Sequence, residues 1–168
     1  LFETDHQRRA RENTAEKERI AASAVAQIGN AETIFLDEGF LPSQIAFLLP
    51  QAPPLTVVTS SLNIAYDLSR RTAHTVIMLG GRVRGRTQGV VDMWAVGMLE
   101  SMELDLAFIG ANGVTEQGYL TTPDPAVAQV KQAAMAASSP EMLACATPSK
   151  SRAAFTPCSS SSRTGRLS

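Results

Sequence analysis

The sequence predicts an α/β domain whose mainly parallel sheet is flanked by helices. Five short apolar runs lie along the chain, and segments with a helical spacing of apolar residues alternate with them. The runs are Thr33–Leu36, Leu55–Thr59, Thr75–Leu79, Leu104–Ile109 and Met142–Ala146. Such runs are typical of strands buried on both faces, and strands that alternate with helices form right-handed parallel units. Asp105 indicates that the fourth strand begins at an exposed end.

Length, composition and charge limit the possible function classes. The chain has 168 residues, enough for one domain with a core, and it is 44% hydrophobic and 18% charged, as globular proteins are. Its formal net charge of -1 argues against binding of DNA or RNA by this chain alone, because domains that grip phosphates are usually basic. No apolar run approaches the roughly 18 residues that a membrane span needs.

The N-terminal segment, residues 1–14, is polar and rich in Arg and Glu, which predicts a linker rather than a signal peptide. Because the chain begins at Leu1, we expect a preceding part of the protein. Asn13 and Glu16 have the spacing of a helix cap, and apolar residues then recur on one helical face until Gly29.

The later helices are predicted from prolines, serines and apolar spacing. Pro42 suits the first turn of the helix that follows the first strand, and Ser60 and Ser61 suit the cap of the next helix. Trp94 opens another helical pattern and is expected to anchor the core. Pro125 introduces the last predicted helix.

Polar or glycine-rich residues follow each predicted strand at its C-terminal end. They are Asp37-Glu38-Gly39, Thr59-Ser60-Ser61, Gly80-Gly81, Gly110-Ala111-Asn112-Gly113 and Thr147-Pro148-Ser149-Lys150. In a parallel sheet these ends lie along one edge, and open α/β sheets bind their ligands there. We therefore expect all five segments to converge on a single crevice.

The residue types at this edge suit a polyol or a phosphorylated sugar. The Asp37 carboxylate accepts hydrogen bonds from hydroxyl groups, and the hydroxyls and amides of residues 59–61 precede a helix, where anions bind well. Lys150 supplies a point charge for phosphate. Three alternating arginines, Arg82, Arg84 and Arg86, either add to the positive field or form an ordinary solvated face.

Catalytic and metal sites are not indicated. Asp37 and Glu38 are adjacent, so in an extended segment they point to opposite sides and do not form an obvious acid–base pair. The two cysteines, Cys145 and Cys158, and the two histidines have no metal-ligand spacing. We expect no metal, no cofactor and no disulfide.

Ordered motifs extend from about residue 16 to residue 155. They include residues 16–21, Ile34–Gly39, Leu55–Ala65, Leu79-Gly80-Gly81, Asp105–Gly113, Gly118–Thr122, Val130-Lys131 and Ser149-Lys150. As an ordered set these motifs resemble the effector-binding domain of DeoR-family transcriptional regulators.

The resemblance implies a fold similar to ribose-5-phosphate isomerase and glucosamine-6-phosphate deaminase, acting as a sensor and not as an enzyme. It implies a cytoplasmic oligomer, a repressor of sugar metabolism genes, whose effector is a phosphorylated sugar or related metabolite. Operator DNA would bind only through an N-terminal winged helix-turn-helix absent from this chain. The implied domains are a linker at 1–14, an effector-binding domain at 15–157 and a disordered tail at 158–168.

Carried over by position, the resemblance implies nine ligand-binding residues. They are Asp37, Gly39, Thr59, Ser60, Gly80, Gly81, Gly110, Asn112 and Lys150. The chain departs from the family pattern where Phe40 and Leu41 replace two threonines and where Val127 replaces an acid. Two alternatives stay open: an enzyme of the isomerase or deaminase type, and, because of Phe40 and Leu41, a decayed domain that oligomerises without binding a ligand.

Overall fold

The computed structural model describes residues 14–114, 120–138, 141–145 and 157–159. The helices among them are α1 (Thr14–Ala26), α2 (Phe40–Leu48), α3 (Leu62–Arg71), α4 (Met93–Glu100) and α5 (Pro125–Ala137). The strands are β1 (Thr33–Leu36), β2 (Thr56–Thr59), β3 (Thr75–Met78), β4 (Arg82–Val83), β5 (Val90–Val91), β6 (Leu106–Gly110), β7 (Gly113–Val114), β8 (Leu120–Thr121), β9 (Glu141–Cys145) and β10 (Pro157–Ser159).

The main sheet has the strand order β10-β9-β6-β1-β2-β3. Strands β9, β6, β1, β2 and β3 pair in parallel, and β10 runs antiparallel to β9 at one edge. The predicted α/β class with a mainly parallel sheet is confirmed, and each of the five predicted strands lies within a residue or two of its predicted position. Two short hairpins, β4–β5 and β7–β8, stand apart from this sheet.

The sheet separates two hydrophobic clusters because successive strand residues point to opposite faces. On one face Ile34 and Leu36 of β1 pack with residues of α1, α2 and α3. On the other face Phe35 packs with residues of α4 and α5, including Leu99 and Val130. Strand β1 is buried on both sides, as its continuous apolar run predicts.

Asp105 joins two strands at the amino end of the sheet. It is exposed, and its Oδ2 accepts hydrogen bonds from the backbone N–H groups of Glu32 (2.9 Å) and Thr33 (2.8 Å). Asp105 is thus exposed as expected, although its neighbours Leu104 and Leu106 are only 2% and 3% exposed. Its carboxylate also satisfies two backbone donors beside β1.

The expectation that Trp94 anchors the core is wrong. The buried face of α4 is formed by Ala95 and Leu99, both fully buried, whereas the Trp94 side chain is 74% exposed. Apolar spacing identifies a helix but does not decide which of two neighbouring residues faces the sheet. The packing of α4 against α5 makes that choice.

Several predictions lie wholly or partly outside the described residues. Lys150, the residues 147–149 that precede it and the linker residues 1–13 are among them. Strand β10 includes Cys158 and Ser159, which the sequence assigns to a disordered tail. The remaining residues of that tail, 160–168, lie outside the described residues. Among the described helices, none has the length and apolar character to cross a membrane.

Candidate functional site at the strand ends

Asp37 links three strand ends and one helix. It follows β1 directly and is 1% exposed. Its Oδ1 accepts a hydrogen bond from the Ser60 hydroxyl (3.3 Å), and its Oδ2 accepts one from the Gly110 N–H (2.9 Å). The ammonium group of Lys131, on α5, forms an ion pair with the same Oδ2. The carboxylate thus holds the ends of β1, β2 and β6 against α5.

Thr59 makes a second link between β1 and β2. Its hydroxyl donates to the Leu36 carbonyl (2.6 Å) and accepts from the Ser61 N–H (3.0 Å). The hydrogen-bonding groups of Asp37, Thr59 and Ser60 are therefore engaged with the protein in this structure. Their predicted role in ligand binding stays a prediction, since such contacts would have to be exchanged for a ligand.

The β4–β5 hairpin covers the N-terminus of α3. The Leu62 N–H donates to the Gln88 carbonyl (3.0 Å), and the Ser61 hydroxyl accepts from the Ile64 N–H (3.4 Å). The Val90 N–H donates to the Ser60 carbonyl (2.8 Å). The helix start that the sequence offers to an anion is thus capped from within the chain.

The three alternating arginines have different environments. Arg84 bridges two acids: its Nη1 lies 3.3 Å from Glu38 Oε1, and its Nε lies 3.1 Å from Asp124 Oδ2. Its side chain is only 13% exposed. Arg82 pairs with Asp92 and is 63% exposed, and Arg86 is exposed. Arg84 belongs to the buried strand-end network, whereas the side chains of Arg82 and Arg86 are exposed, so neither sequence interpretation fits all three.

Glu38 and Asp37 are adjacent, yet each binds a different cation of the protein. Burial raises the pKa of Glu38 above its ordinary value, while the Thr87 hydroxyl, Lys131 and Arg84 act to lower it and Asp37 adds to the rise. Among the described residues, the buried Oε2 of Glu38 has no hydrogen-bond partner. A buried carboxylate that is only partly satisfied favours its protonated form.

Glycines form the open part of the site. Gly39 precedes α2 with φ 124° and ψ 178°, a conformation reserved for glycine. Gly81 has φ 138°, and a β-carbon there would collide with the Val91 carbonyl. Gly80 and Gly81 are exposed, whereas Gly39, Gly110 and Asn112 are half-buried. Gly80 and Gly81 therefore leave main chain accessible at the end of β3, and the role of the predicted glycines in ligand binding stays a prediction.

An open pocket of about 610 Å³ adjoins Gly80 and Gly81. Its other lining residues are Arg82, Asp92, Trp94 and Met98. No group of three or more His, Cys, Asp or Glu side chains among the described residues could hold a metal ion.

Residues 12–160 match the family described as the DeoR C terminal sensor domain. The chain belongs to this family. The motifs that suggest it, from residue 16 onward, lie within the matched range. The identification as the sensor domain of a DeoR-type regulator is therefore confirmed.

Named relatives of this DeoR sensor domain agree with the family match. The glycerol-3-phosphate regulon repressor of Escherichia coli (strain K12) is 33% identical over 128 residues, which are 76% of this chain and 50% of that protein. The HTH-type transcriptional regulator GlpR of Haloferax volcanii is 30% identical over 121 residues, 72% of this chain and 47% of the relative. The chain spans about half the length of these relatives.

The DeoR sensor domain is also similar to a Bacillus regulator and to a solved regulator structure. An uncharacterized HTH-type transcriptional regulator, FruR of Bacillus subtilis (strain 168), is 28% identical over 134 residues, 80% of this chain and 53% of the relative. A solved transcriptional regulator from Streptococcus pneumoniae TIGR4 is 17% identical, with a TM-score of 0.40, over 62% of this chain and 49% of that one. The curated relatives described here are named as repressors or transcriptional regulators, and their names do not support the enzyme alternative.

The predicted site of this DeoR sensor domain omits two charged residues, although one of them, Lys131, belongs to a motif that carries the resemblance. Lys131 lies on the apolar face of α5, between Val127 and Ala134, and is 4% exposed. A lysine on an apolar helical face requires a buried acid as partner, and that signal was available. Asp124, which caps α5 by accepting from the Ala126 N–H (2.9 Å) and pairs with Arg84, offers only the cap as a sequence signal.

Proposed function

We propose that this sensor domain binds a small phosphorylated sugar or related phosphorylated metabolite at the carboxyl ends of its parallel strands. The observation that carries the proposal is the convergence of β1, β2 and β6 on the buried Asp37–Lys131 pair, whose carboxylate also accepts the backbone N–H of Gly110. Family membership supports it, as does a relative named as the repressor of a glycerol-3-phosphate regulon. A pre-built edge of this type is the common ligand site of open α/β sheets.

We propose that the ligand contacts the residues at the strand ends, and that backbone groups make the closest of these contacts. Exposed Gly80 and Gly81 give a ligand its closest approach to the main chain, and Lys150 would supply phosphate charge from outside the described residues. Asp37 would accept hydroxyl hydrogen bonds after exchange of its protein partners. The charge on Lys131 makes this edge more favourable to an anion than Asp37 alone would.

Ligand binding would act on transcription through the rest of the protein. In the full-length repressor, a cytoplasmic oligomer, the effector shifts the population of two subunit arrangements and changes how an N-terminal DNA-binding part meets its operator. Footprinting of the full-length protein with and without effector tests this step. An unchanged footprint across all effectors that bind the domain would contradict it.

The domain is proposed to bind its ligand without turning it over. Asp37 and Glu38 are both paired with cations of the protein, so neither is a free general base in this structure. Activity assays with pentose phosphates and aminohexose phosphates should show no conversion. Turnover of either substrate would instead support the isomerase or deaminase alternative.

A thermal-shift panel tests binding. It compares glycerol 3-phosphate, fructose 1-phosphate and fructose 6-phosphate with glycerol, fructose and inorganic phosphate. At one hundred times Kd a specific ligand adds about 2.7 kcal/mol, which is several degrees for a domain of this size. A shift with one phosphorylated compound and not with its parent is the expected result.

The same panel tests the decayed-domain alternative. The two residues that replace threonines are packed, since Leu41 is buried and the ammonium of Lys17 lies 4.9 Å from the centre of the Phe40 ring. A shift with parent sugars alone would mean that this turn no longer serves phosphate. No shift with any compound, on a folded sample, would contradict the proposed function.

A further inference from the structure

We propose that the open pocket beside Gly80 and Gly81 binds the hydroxylated carbon skeleton of the effector, with the Trp94 indole as a stacking surface. This inference rests on the proposed function, and it adds Trp94, Asp92 and Arg82, which the predicted site omits, as contacts for the carbohydrate part of the ligand. The pocket, at about 610 Å³, is within the range of about 300–1,000 Å³ in which small-molecule sites fall.

Trp94 is the first element of this subsite. It is 74% exposed although it lies on α4 directly before the fully buried Ala95. A tryptophan carries a large apolar surface, of about 150–250 Å², so leaving it in water forgoes a large burial energy. The C–H face of a sugar or polyol fits a flat, exposed indole that lines a pocket.

Asp92 is the second element. It begins α4 with φ 85° and ψ 177°, a backbone conformation that is essentially restricted to glycine. Its carboxylate is held by Arg82, with Nε to Oδ2 at 2.8 Å and Nη2 to Oδ1 at 3.3 Å. Backbone strain of this type is concentrated at ligand sites. Here the strained position carries a carboxylate, which the unstrained residue, glycine, would lack.

The Arg82–Asp92 pair retains capacity for a ligand. A carboxylate offers about four acceptor positions and a guanidinium five donors, and the pair uses two of each. The side chains are 63% and 37% exposed, so their remaining groups are reachable from water. Hydroxyl groups, which both donate and accept, match this combination better than a purely apolar partner does.

Gly80 and Gly81 complete the pocket. Neither has a side chain, so a ring on Trp94 meets main chain at this wall. Gly81 is also fixed as glycine, because a β-carbon would meet the Val91 carbonyl and the Val90 side chain. The same two glycines follow β3, a strand of the main sheet, at its carboxyl end.

Trp94 provides its own test because it is the only tryptophan in the chain. Intrinsic tryptophan fluorescence of the 168-residue protein therefore reports this pocket alone. Titration with the phosphorylated compounds of the panel and with their parent sugars should shift the emission to shorter wavelength and reduce quenching by acrylamide. Trp94→Ala should weaken binding roughly tenfold, measured by calorimetry, and Trp94→Phe should retain most of the affinity.

Phe47→Ala is the matched control. Phe47 is also an exposed aromatic residue, at 67%, but it lies on α2, on the other face of the sheet from α4. The affinity of the Phe47→Ala variant for the effector should equal that of the wild type. Asp92→Gly should weaken binding without lowering the melting temperature, which separates a ligand contact from a loss of fold.

The outcomes separate this inference from the proposed function. In one outcome, calorimetry shows effector binding while the Trp94 fluorescence does not change and the Trp94→Ala variant binds as tightly as the wild type. That result overturns the subsite but leaves the proposed function standing. A fluorescence response to parent sugars, with no effect of phosphorylation on affinity, supports the subsite and contradicts the phosphorylated effector. Emission that depends on protein concentration and not on ligand means that a second copy of the chain covers Trp94, and it overturns the inference.

Discussion

Asp37 and Lys131, 94 residues apart in the sequence, form an ion pair in which both side chains are almost completely buried. The pair joins the end of β1 to α5, across the face of the sheet that carries the α4 and α5 cluster. Ser60 and Gly110 bind the same carboxylate, so the pair is satisfied by hydrogen bonds as well as by charge. Removing one partner leaves the other as an uncompensated buried charge.

We expect Asp37→Ala to lower the free energy of unfolding by about 3–5 kcal/mol, because Lys131 loses its counter-charge in a site closed to water. Urea denaturation followed by circular dichroism measures the change. Adding Lys131→Met to the same variant should recover part of the loss, since the buried charge is then gone.

Arg82→Ala is the control for an exposed pair. The Arg82–Asp92 contact is largely open to solvent, so its loss should cost far less than that of the buried pair. Equal losses for Asp37→Ala and Arg82→Ala would contradict the importance assigned to burial.

A β-carbon at Gly81 should destabilise the fold. Gly81→Ala combines a positive φ of 138° with a collision at the Val91 carbonyl, so we expect a loss of about 1–3 kcal/mol or more. Gly97→Ala serves as the matched control, because Gly97 is exposed in α4 and its β-carbon meets nothing. That change should stabilise the protein by about 0.5–1 kcal/mol. Thermal denaturation of both variants measures the difference in stability between them. Equal losses of stability in the two variants would contradict this prediction.

Glu38 should make stability fall as pH rises. Its pKa is raised in the folded protein, chiefly by burial, so the folded state binds this proton more tightly than the unfolded state. The resulting stabilisation is fully present below the ordinary pKa of 4.5 and is lost as pH rises through the folded pKa. Glu38→Gln cannot titrate, and its stability relative to the wild type should therefore increase with pH across that window. Urea denaturation at closely spaced pH values measures this, and a constant difference between the two proteins would count against it.

Asp92→Gly should stabilise the protein. Glycine adopts φ 85° and ψ 177° without the strain of about 1–3 kcal/mol that other residues carry there. Loss of the solvent-exposed contact with Arg82 offsets little of this gain. Asp92→Ala is the control, because it loses the same contact and keeps the strain, and it should be less stable than Asp92→Gly. Calorimetric melting of the two variants tests the order, and the reverse order would show that Asp92 is unstrained.

The α/β class and the strand positions were predictable from local sequence. Thr33–Leu36, for example, is continuous in apolar character and ends in Asp37-Glu38-Gly39, and the structure has β1 at those four residues. A run of this kind can be buried on both faces only between layers of helices. The convergence of Asp37, Ser60 and Gly110 also followed from parallel strand order, because parallel strands end at one edge of the sheet.

The architecture and the family could be predicted without a structure, since both depend on periodicity and on ordered local motifs. Three features could be found only in the folded protein: Lys131 neutralises Asp37, Arg84 lies between Glu38 and Asp124, and Trp94 lines an open pocket. The physical reason is that ion pairs and solvent exposure depend on distances between residues far apart in the chain. Local patterns carry no information about those distances until the helices pack on the sheet.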